Sequence, residues 1–284
     1  MVRGKGRKMK TLYVSDLDGT LLSRNSRLTD EAAERLNRMI RQGLSFTYAT
    51  ARSILSAGPI VSNLELRLPV ITYNGTFVID PVTKKTIFSS AFTKAELALL
   101  IELMRKFRLS PIVYSYVNGI EKVSWQRGTE NEGMAFYLNS RKGDPRMRGV
   151  ASPDALFEGN VFHFTCIGEQ EELSPFYERV IDESCCQAVF QQELYRKEYW
   201  CELMPKEATK ASALLKLKEK LGYEKVVVFG DAKNDIPMFL AADEAYAVEN
   251  AVPKLKENAS GIIGSNEEDG VVNWLLTYGQ LQTE

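Results

Sequence analysis

Two short, β-rich apolar runs that each stop in a cluster of carboxylates constrain this chain more than any other feature. Leu12-Tyr13-Val14 runs into Asp16-Leu17-Asp18-Gly19-Thr20, and Val226-Val227-Val228-Phe229 runs into Gly230-Asp231-Ala232-Lys233-Asn234-Asp235. A buried strand ending in polar groups delivers them to the carboxyl edge of a sheet, where open α/β sheets bind their ligands. Alternation along the first run puts Asp16 and Asp18 on one side.

Around these runs strands and helices take turns. A helix is predicted from Asp30 to about Gln42, with Ala33, Leu36 and Ile40 on one face and Glu31/Arg35 and Glu34/Arg38 paired on the other. A strand over Leu44–Ala49, a helix from Ser53 to about Asn63 and the strand Val70-Ile71-Thr72 follow, the last entering the turn Asn74-Gly75. This rhythm implies a parallel sheet with helices on both faces. It breaks after Gly75. A hairpin is expected around Asp80-Pro81, then a helix from Lys94 to Phe107, strands at 112–116, 120–124, 161–167 and 187–191, and a helix between Glu169 and Ile181, together an α+β domain of its own.

The alternation resumes with Trp200–Met204, a helix over about Ala208–Leu221, the strand 226–229, a helix after Asn234, a strand over 245–248 and a last helix near 270–278. Thr50 and Lys210 stand 160 residues apart, whereas Lys210 and Asp231 are separated by one helix and one strand. The reading is an α/β fold, a parallel sheet built from residues 1–80 and 195–284 with an α+β domain, 81–194, inserted into it.

Composition excludes several classes of function. Among 284 residues, 36 Lys plus Arg balance 37 Asp plus Glu, so no basic excess marks a nucleic-acid partner. No apolar run approaches the roughly 20 residues that cross a bilayer, and a cytoplasmic protein is expected. Arg3, Lys5, Arg7, Lys8 and Lys10 read as a solvated arm, and Cys166, Cys185, Cys186 and Cys201 as reduced, mostly buried thiols. One histidine, His163, and no C-x-x-C leave no zinc set. The nucleophile elbow, the P-loop and the dinucleotide turn are absent too. Carboxylates are the chemical equipment that remains.

Clustered carboxylates repel one another and resist desolvation, so they demand a cation. Oxygen donors select Mg²⁺ or Ca²⁺. A calcium loop wants glycine at its sixth position and glutamate at its twelfth. Counted from Asp16 these are Leu21 and Arg27, and from Asp231 they are Ile236 and Ala242, so magnesium is favoured.

With Thr50 closing the strand Tyr48-Ala49-Thr50-Ala51-Arg52 and Lys210 opening a helix, the two acidic clusters resemble, in order and spacing, the four motifs of haloacid dehalogenase-like phosphohydrolases. Asn74-Gly75 after the third strand, Glu202-Leu203-Met204-Pro205 leading to Lys210, and the inserted domain resemble the Cof-type branch. The chain departs from that pattern at Ala51, Ala211 and Glu207-Ala208, where glycines are common in the family. The resemblance implies a Rossmann-like core with an inserted α+β cap. It also implies a Mg²⁺-dependent phosphatase acting on small phosphorylated metabolites through an aspartyl phosphate, as a monomer or small homo-oligomer.

In those terms Asp16 is the nucleophile, Asp18 the general acid and base, and Thr50 and Lys210 clamp the phosphate. The metal set drawn from the resemblance is Asp16, Asp18 through its backbone carbonyl, and Asp231, with Asn234 and Asp235 beside or behind it. Substrate contacts fall to Thr50, Ala51, Arg52, Asn74, Gly75, Lys210 and Asn234. A phosphomutase or phosphotransferase on the same core, and an inert phosphate-binding module, stay open as alternatives. Arg141, Lys142, Arg146 and Arg148 form either an electropositive loop or a solvated one. Tyr114, Tyr116, Trp125 and Tyr137 read as core aromatics, and His163 as a hydrogen-bonded bystander.

Overall fold

The computed structural model describes residues 9–193 and 196–281. The basic residues Arg3, Lys5, Arg7 and Lys8 lie outside the described part, whereas Lys10 donates from its ammonium to the Leu221 carbonyl at 2.9 Å. Two compact units divide the chain, one running up to Ser89 and resuming at Ala208, the other Ser90–Glu207.

The first unit opens with β1 (Thr11–Ser15), α1 (Asp30–Arg41), β2 (Phe46–Tyr48), α2 (Ile54–Ile60), β3 (Val70–Thr72), β4 (Phe77–Ile79) and β5 (Thr86–Ser89). The intervening second unit comprises α3 (Lys94–Lys106), β6 (Ile112–Val117), β7 (Ile120–Gln126), α4 (Glu132–Ser140), β8 (Met147–Val150), α5 (Pro153–Leu156), β9 (Asn160–Gly168), α6 (Gln170–Glu183), β10 (Cys186–Gln192) and β11 (Tyr199–Pro205). The first unit then resumes with α7 (Lys210–Leu221), β12 (Lys225–Gly230), α8 (Ile236–Ala241), β13 (Glu244–Val248), α9 (Pro253–Lys256), β14 (Gly261–Ile263) and α10 (Gly270–Tyr278).

Its sheet has the order β14-β13-β12-β1-β2, parallel throughout. The two apolar runs lie side by side, with Leu12 against Val226 and Ser15 against Phe229. β1 and the middle of β12 are buried, as befits strands covered on both faces. β3 adjoins β2 through the parallel bridge Ala49 to Ile71 and starts the antiparallel trio β3-β4-β5. Local chemistry sets the helix starts: Thr29 caps α1 by accepting from the Ala32 amide, and Thr209 caps α7 by accepting from Ser212. Gly222, left-handed at φ 66°, ends α7. Glu34 pairs with Arg41 at 2.6 Å rather than with Arg38.

The second unit is a six-stranded sheet, β10-β11-β9-β6-β7-β8, antiparallel except between β7 and β8. α3 and α6 cover one face through Leu100, Leu103, Met104, Leu173, Phe176 and Val180, packed on Val113, Phe164, Cys201 and Leu203. On the opposite face α4 brings Tyr137 to Tyr114, hydroxyl to hydroxyl at 2.6 Å, and to Trp200. His163 is buried between Thr165 and Glu202, each at 3.3 Å. All four cysteines are free thiols, three of them buried.

The division between the units differs from the sequence expectation at both ends, 89/90 instead of 80/81 and 207/208 instead of 194/195. The hairpin strand β5 stays with the first unit through β4, and β11, expected to reopen the parallel sheet, pairs antiparallel with β9 and β10. The basic loop also has partners. Arg146 binds Asp144 and Glu121, Arg148 binds Glu158 and Ser124, and Arg141 lies over the Tyr137 ring.

Gly75 leaves room for the start of α7. Its φ is +100°, and a Cβ there would sit 2.0 Å from the Thr209 carbonyl oxygen, so only glycine lets the 73–75 turn close on the α7 cap. Gly75→Ala is expected to lose about 2 kcal/mol or more of stability, read as a lowered urea midpoint. An unchanged midpoint would mean that the α7 start yields freely.

Candidate active site

β1, β2 and β12 end together. The Asp16 amide donates to the Phe229 carbonyl and the Ala49 amide to the Ser15 carbonyl, both at 2.9 Å, which ties the end of β1 to its neighbours on both sides. Asp16 is 6% exposed. One of its oxygens accepts from Lys210 Nζ at 2.8 Å, and the same ammonium donates to Asp235 Oδ1 at 2.7 Å. Lys210 is the first residue of α7 and is buried, and Asp235 is fully buried.

Asp235 also accepts, through Oδ2, from the backbone amides of Asp231 and Ala232 at 3.1 Å each, which folds the turn after β12 around it. Asp231 is half-buried and accepts from the Thr20 hydroxyl at 2.9 Å. A Cβ on Gly19, where φ is +75°, would lie 2.4 Å from Asp231 Oδ2, so glycine is what lets the two acidic loops approach.

Single carboxylate oxygens of Asp16, Asp231 and Asp235 lie within 4.8 Å of one another. Three carboxylates around one ammonium leave a deficit of positive charge. Burial, reinforced by Asp235 and Asp231 and opposed by Lys210, pushes the Asp16 carboxyl up to about 8. Burial likewise raises Asp231, against the hydroxyl of Thr20. Burial disfavours the Lys210 ammonium, yet Asp16 and Asp235 outweigh it and hold its pKa above the ordinary lysine value. Hard oxygen donors, crowded together and short of positive charge, fit a small divalent cation such as Mg²⁺.

The other predicted residues are distributed as follows. Asp18 is not in the carboxylate trio; both of its oxygens accept from Arg52, Oδ2 from Nε and Oδ1 from Nη2, at 2.6 Å each. Thr50 is buried, and its hydroxyl accepts from the Arg52 amide at 3.1 Å. Ala51 is exposed. Asn234 donates to Asn74 Oδ1 at 3.1 Å, and Asn74 itself stands in the left-handed region at φ 52°. Gly75 has a packing role against Thr209. So Asp16, Lys210, Asp231 and Asp235 converge, Thr50 is held within the turn after β2, and Asn74 with Asn234 forms a separate polar bridge.

Two residues escaped the sequence reading. Asn250 donates to the Gly19 carbonyl at 2.7 Å, and Asn266 donates to the Leu22 carbonyl at 2.9 Å while its amide binds Asn250 Oδ1. Asn250 follows the apolar stretch Ala245–Val248, the same pattern of strand then polar residues that marks both acidic clusters. Asn266 lies in a short turn and carries no such mark.

Comparison with known proteins agrees with this architecture. A family model described as haloacid dehalogenase-like hydrolase matches residues 13–275. The chain is 24% identical over 302 residues to the 5-amino-6-(5-phospho-D-ribitylamino)uracil phosphatase YwtE of Bacillus subtilis, spanning 96% of this chain and 99% of that protein. The solved structure of a haloacid dehalogenase-like hydrolase from Bacteroides thetaiotaomicron is similar at TM-score 0.75 and 24% identity, covering 95% of this chain and 99% of that one. A sugar phosphatase of subclass IIB of the same superfamily is similar in fold at TM-score 0.70 and 21% identity, covering 95% and 99%. With a fold, an acidic sheet edge and a family match that coincide along nearly its whole length, the chain belongs to the haloacid dehalogenase-like hydrolases.

Proposed function

We propose that this hydrolase is a Mg²⁺-dependent phosphatase that cleaves small phosphorylated metabolites, sugar phosphates or cofactor phosphates, through an aspartyl phosphate on Asp16. One observation carries the reading: Asp16 is buried at the sheet edge with one oxygen held by a buried ammonium and two further carboxylates close by. A carboxylate so placed has its direction fixed, and the site is short of positive charge. The names of the relatives, a phosphatase of a ribitylamino-uracil phosphate and a sugar phosphatase, support the substrate class.

In the first step an Asp16 oxygen bonds to phosphorus in line with the departing oxygen, and Asp18 gives that oxygen a proton as its bond to phosphorus breaks. In the second, water bonds to phosphorus, Asp18 takes its proton, and Asp16 leaves as the carboxylate it was. Lys210 neutralises charge beside the nucleophile. The Thr50 hydroxyl accepts from the Arg52 amide and keeps its own proton for a phosphate oxygen. Asp16, Asp231 and the Asp18 backbone carbonyl would hold Mg²⁺, which when bound offsets the repulsion between a carboxylate nucleophile and a phosphate anion. Asp235, engaged by Lys210 and two backbone amides, supports that set from behind.

Among the described residues no helix is long and apolar enough to cross a membrane. Four free thiols support a reducing, cytoplasmic setting. Every group named in the two steps comes from one copy of the chain, which suits a monomer or a small homo-oligomer.

The test is phosphate release from p-nitrophenyl phosphate with Mg²⁺, set against excess chelator and against Asp16→Asn. Turnover is expected only with the metal, and the variant is expected to lose at least about a thousandfold in kcat while melting as a folded protein. Substantial activity in the variant would remove Asp16 from the chemistry. Hydrolysis in ¹⁸O-water should place label in the released phosphate, whereas phosphoryl transfer to an added alcohol would favour a transferase.

Metal binding has its own readout. Mg²⁺ at about 100 times its Kd should stabilise the fold by about 2.7 kcal/mol, seen as a rise in Tm. Asp231→Asn should abolish most of that rise, and an undiminished rise would place the metal elsewhere.

A further inference from the structure

Two aspartates separated by a single residue are bound to two different cations. Asp16 takes Lys210 from the start of α7, whereas Asp18 takes Arg52 from the turn between β2 and α2. The second pair is forked, with Nε and Nη2 each 2.6 Å from a separate carboxylate oxygen. It has a third member: Arg52 Nη2 donates to the Ser26 hydroxyl at 3.0 Å, and that hydroxyl faces Asp18 Oδ1 at 3.4 Å. Ser26 holds a left-handed φ of 51°, an uncommon setting for serine that delivers its side chain to this spot.

The pair is not explained by stability. Side-chain exposures of 27% and 44% place it where ion pairs contribute about 0–1 kcal/mol. The Arg52 backbone is nevertheless fixed on both sides, its amide donating to Thr50 Oγ1 at 3.1 Å and its carbonyl accepting from the Tyr73 amide at 3.0 Å. A guanidinium anchored in this way sets the plane of the carboxyl group it grips, and with it the direction of the lone pairs left over.

We propose that Arg52 is a positioning residue that acts through Asp18, aiming the carboxyl group that gives and takes the proton, rather than a residue that grips the substrate phosphate as the sequence reading had it. The inference rests on the phosphatase reading. What Arg52 aims is the transfer of the Asp18 proton to the departing oxygen as the phosphorus–oxygen bond breaks, followed by return of a proton from the attacking water.

Leaving groups that share a phenol ring and differ in basicity separate the two roles. p-Nitrophenyl phosphate releases an oxygen that needs little help from a proton, and phenyl phosphate one that needs much more. Asp18→Asn and Arg52→Ala are each expected to lose more kcat on phenyl phosphate, by about tenfold or more, than on the nitro ester. In the Asp18→Asn background, adding Arg52→Ala should change kcat by less than about twofold, because both substitutions remove one function. Arg52→Lys keeps the charge and loses the fork, so it should show the same leaving-group bias to a smaller degree, which separates aim from folding. The inference is overturned if Arg52→Ala loses equally on both esters, acts mainly through KM, or multiplies with Asp18→Asn. Absence of Mg²⁺-dependent turnover in the wild type would overturn the phosphatase reading and this inference with it; turnover with multiplying losses overturns this inference alone.

Discussion

One buried ammonium organises the acidic edge of the sheet. Lys210 Nζ bridges Asp16, just beyond β1, and Asp235, in the turn after β12, at distances below 3 Å. Neither carboxylate would tolerate that burial unpaired, since a stranded charge in a dry site costs several kcal/mol. The bridge therefore determines where α7 starts, and the surroundings comply: Thr209 caps the helix, and Gly75 has no side chain to push the start away. Asp235 spends its second oxygen on the backbone of its own loop, which keeps Asp231 beside Asp16. The result is a crowd of carboxylates short of positive charge, at the edge where the proposed chemistry would bring a cation and a phosphate together.

The parallel core was legible because its central strands are apolar on both faces and alternate with helices, signals that lie within a few residues of one another. The second unit was harder to read. Its general α+β character was visible, but β8 has the sequence Met147-Arg148-Gly149-Val150, in which arginine fills an inner position through its bonds to Ser124 and Glu158. Pattern alone does not announce such a strand. β11 misled for a different reason: Trp200–Met204 leads straight to α7 in sequence, and only its antiparallel partners β9 and β10 reveal to which sheet it belongs. Which neighbour a strand pairs with is what alternation within the strand does not encode.

In the site the residue types were readable and their partners were not. Carboxylates after two apolar strands pointed to Asp16, Asp231 and Asp235, and the structure gathers them. The sequence neighbourhood of Arg52 suggests a phosphate contact, yet its fork is closed on Asp18, a geometry held by the Thr50 hydroxyl, the Tyr73 backbone amide and the Ser26 hydroxyl. Gly75 suggests a contact as well, whereas its missing side chain serves packing. Roles carried by absent atoms or by turn geometry leave little trace in residue identity.

The sheet order places β1 between β2 and β12, so a strand near residue 11 is completed only by one near residue 225. A ribosome adding about 5–20 residues per second delivers the first strand many seconds before its neighbour. Ser90–Glu207, contiguous in sequence, emerges whole in the interval. The nascent chain therefore carries Asp16 through the whole of that intervening stretch with neither Lys210 nor Asp235 to pair it, and the buried charge network assembles only once α7 and the turn after β12 have emerged. Until then the apolar strand β1 has an open edge, the period in which a chaperone would matter most to this protein.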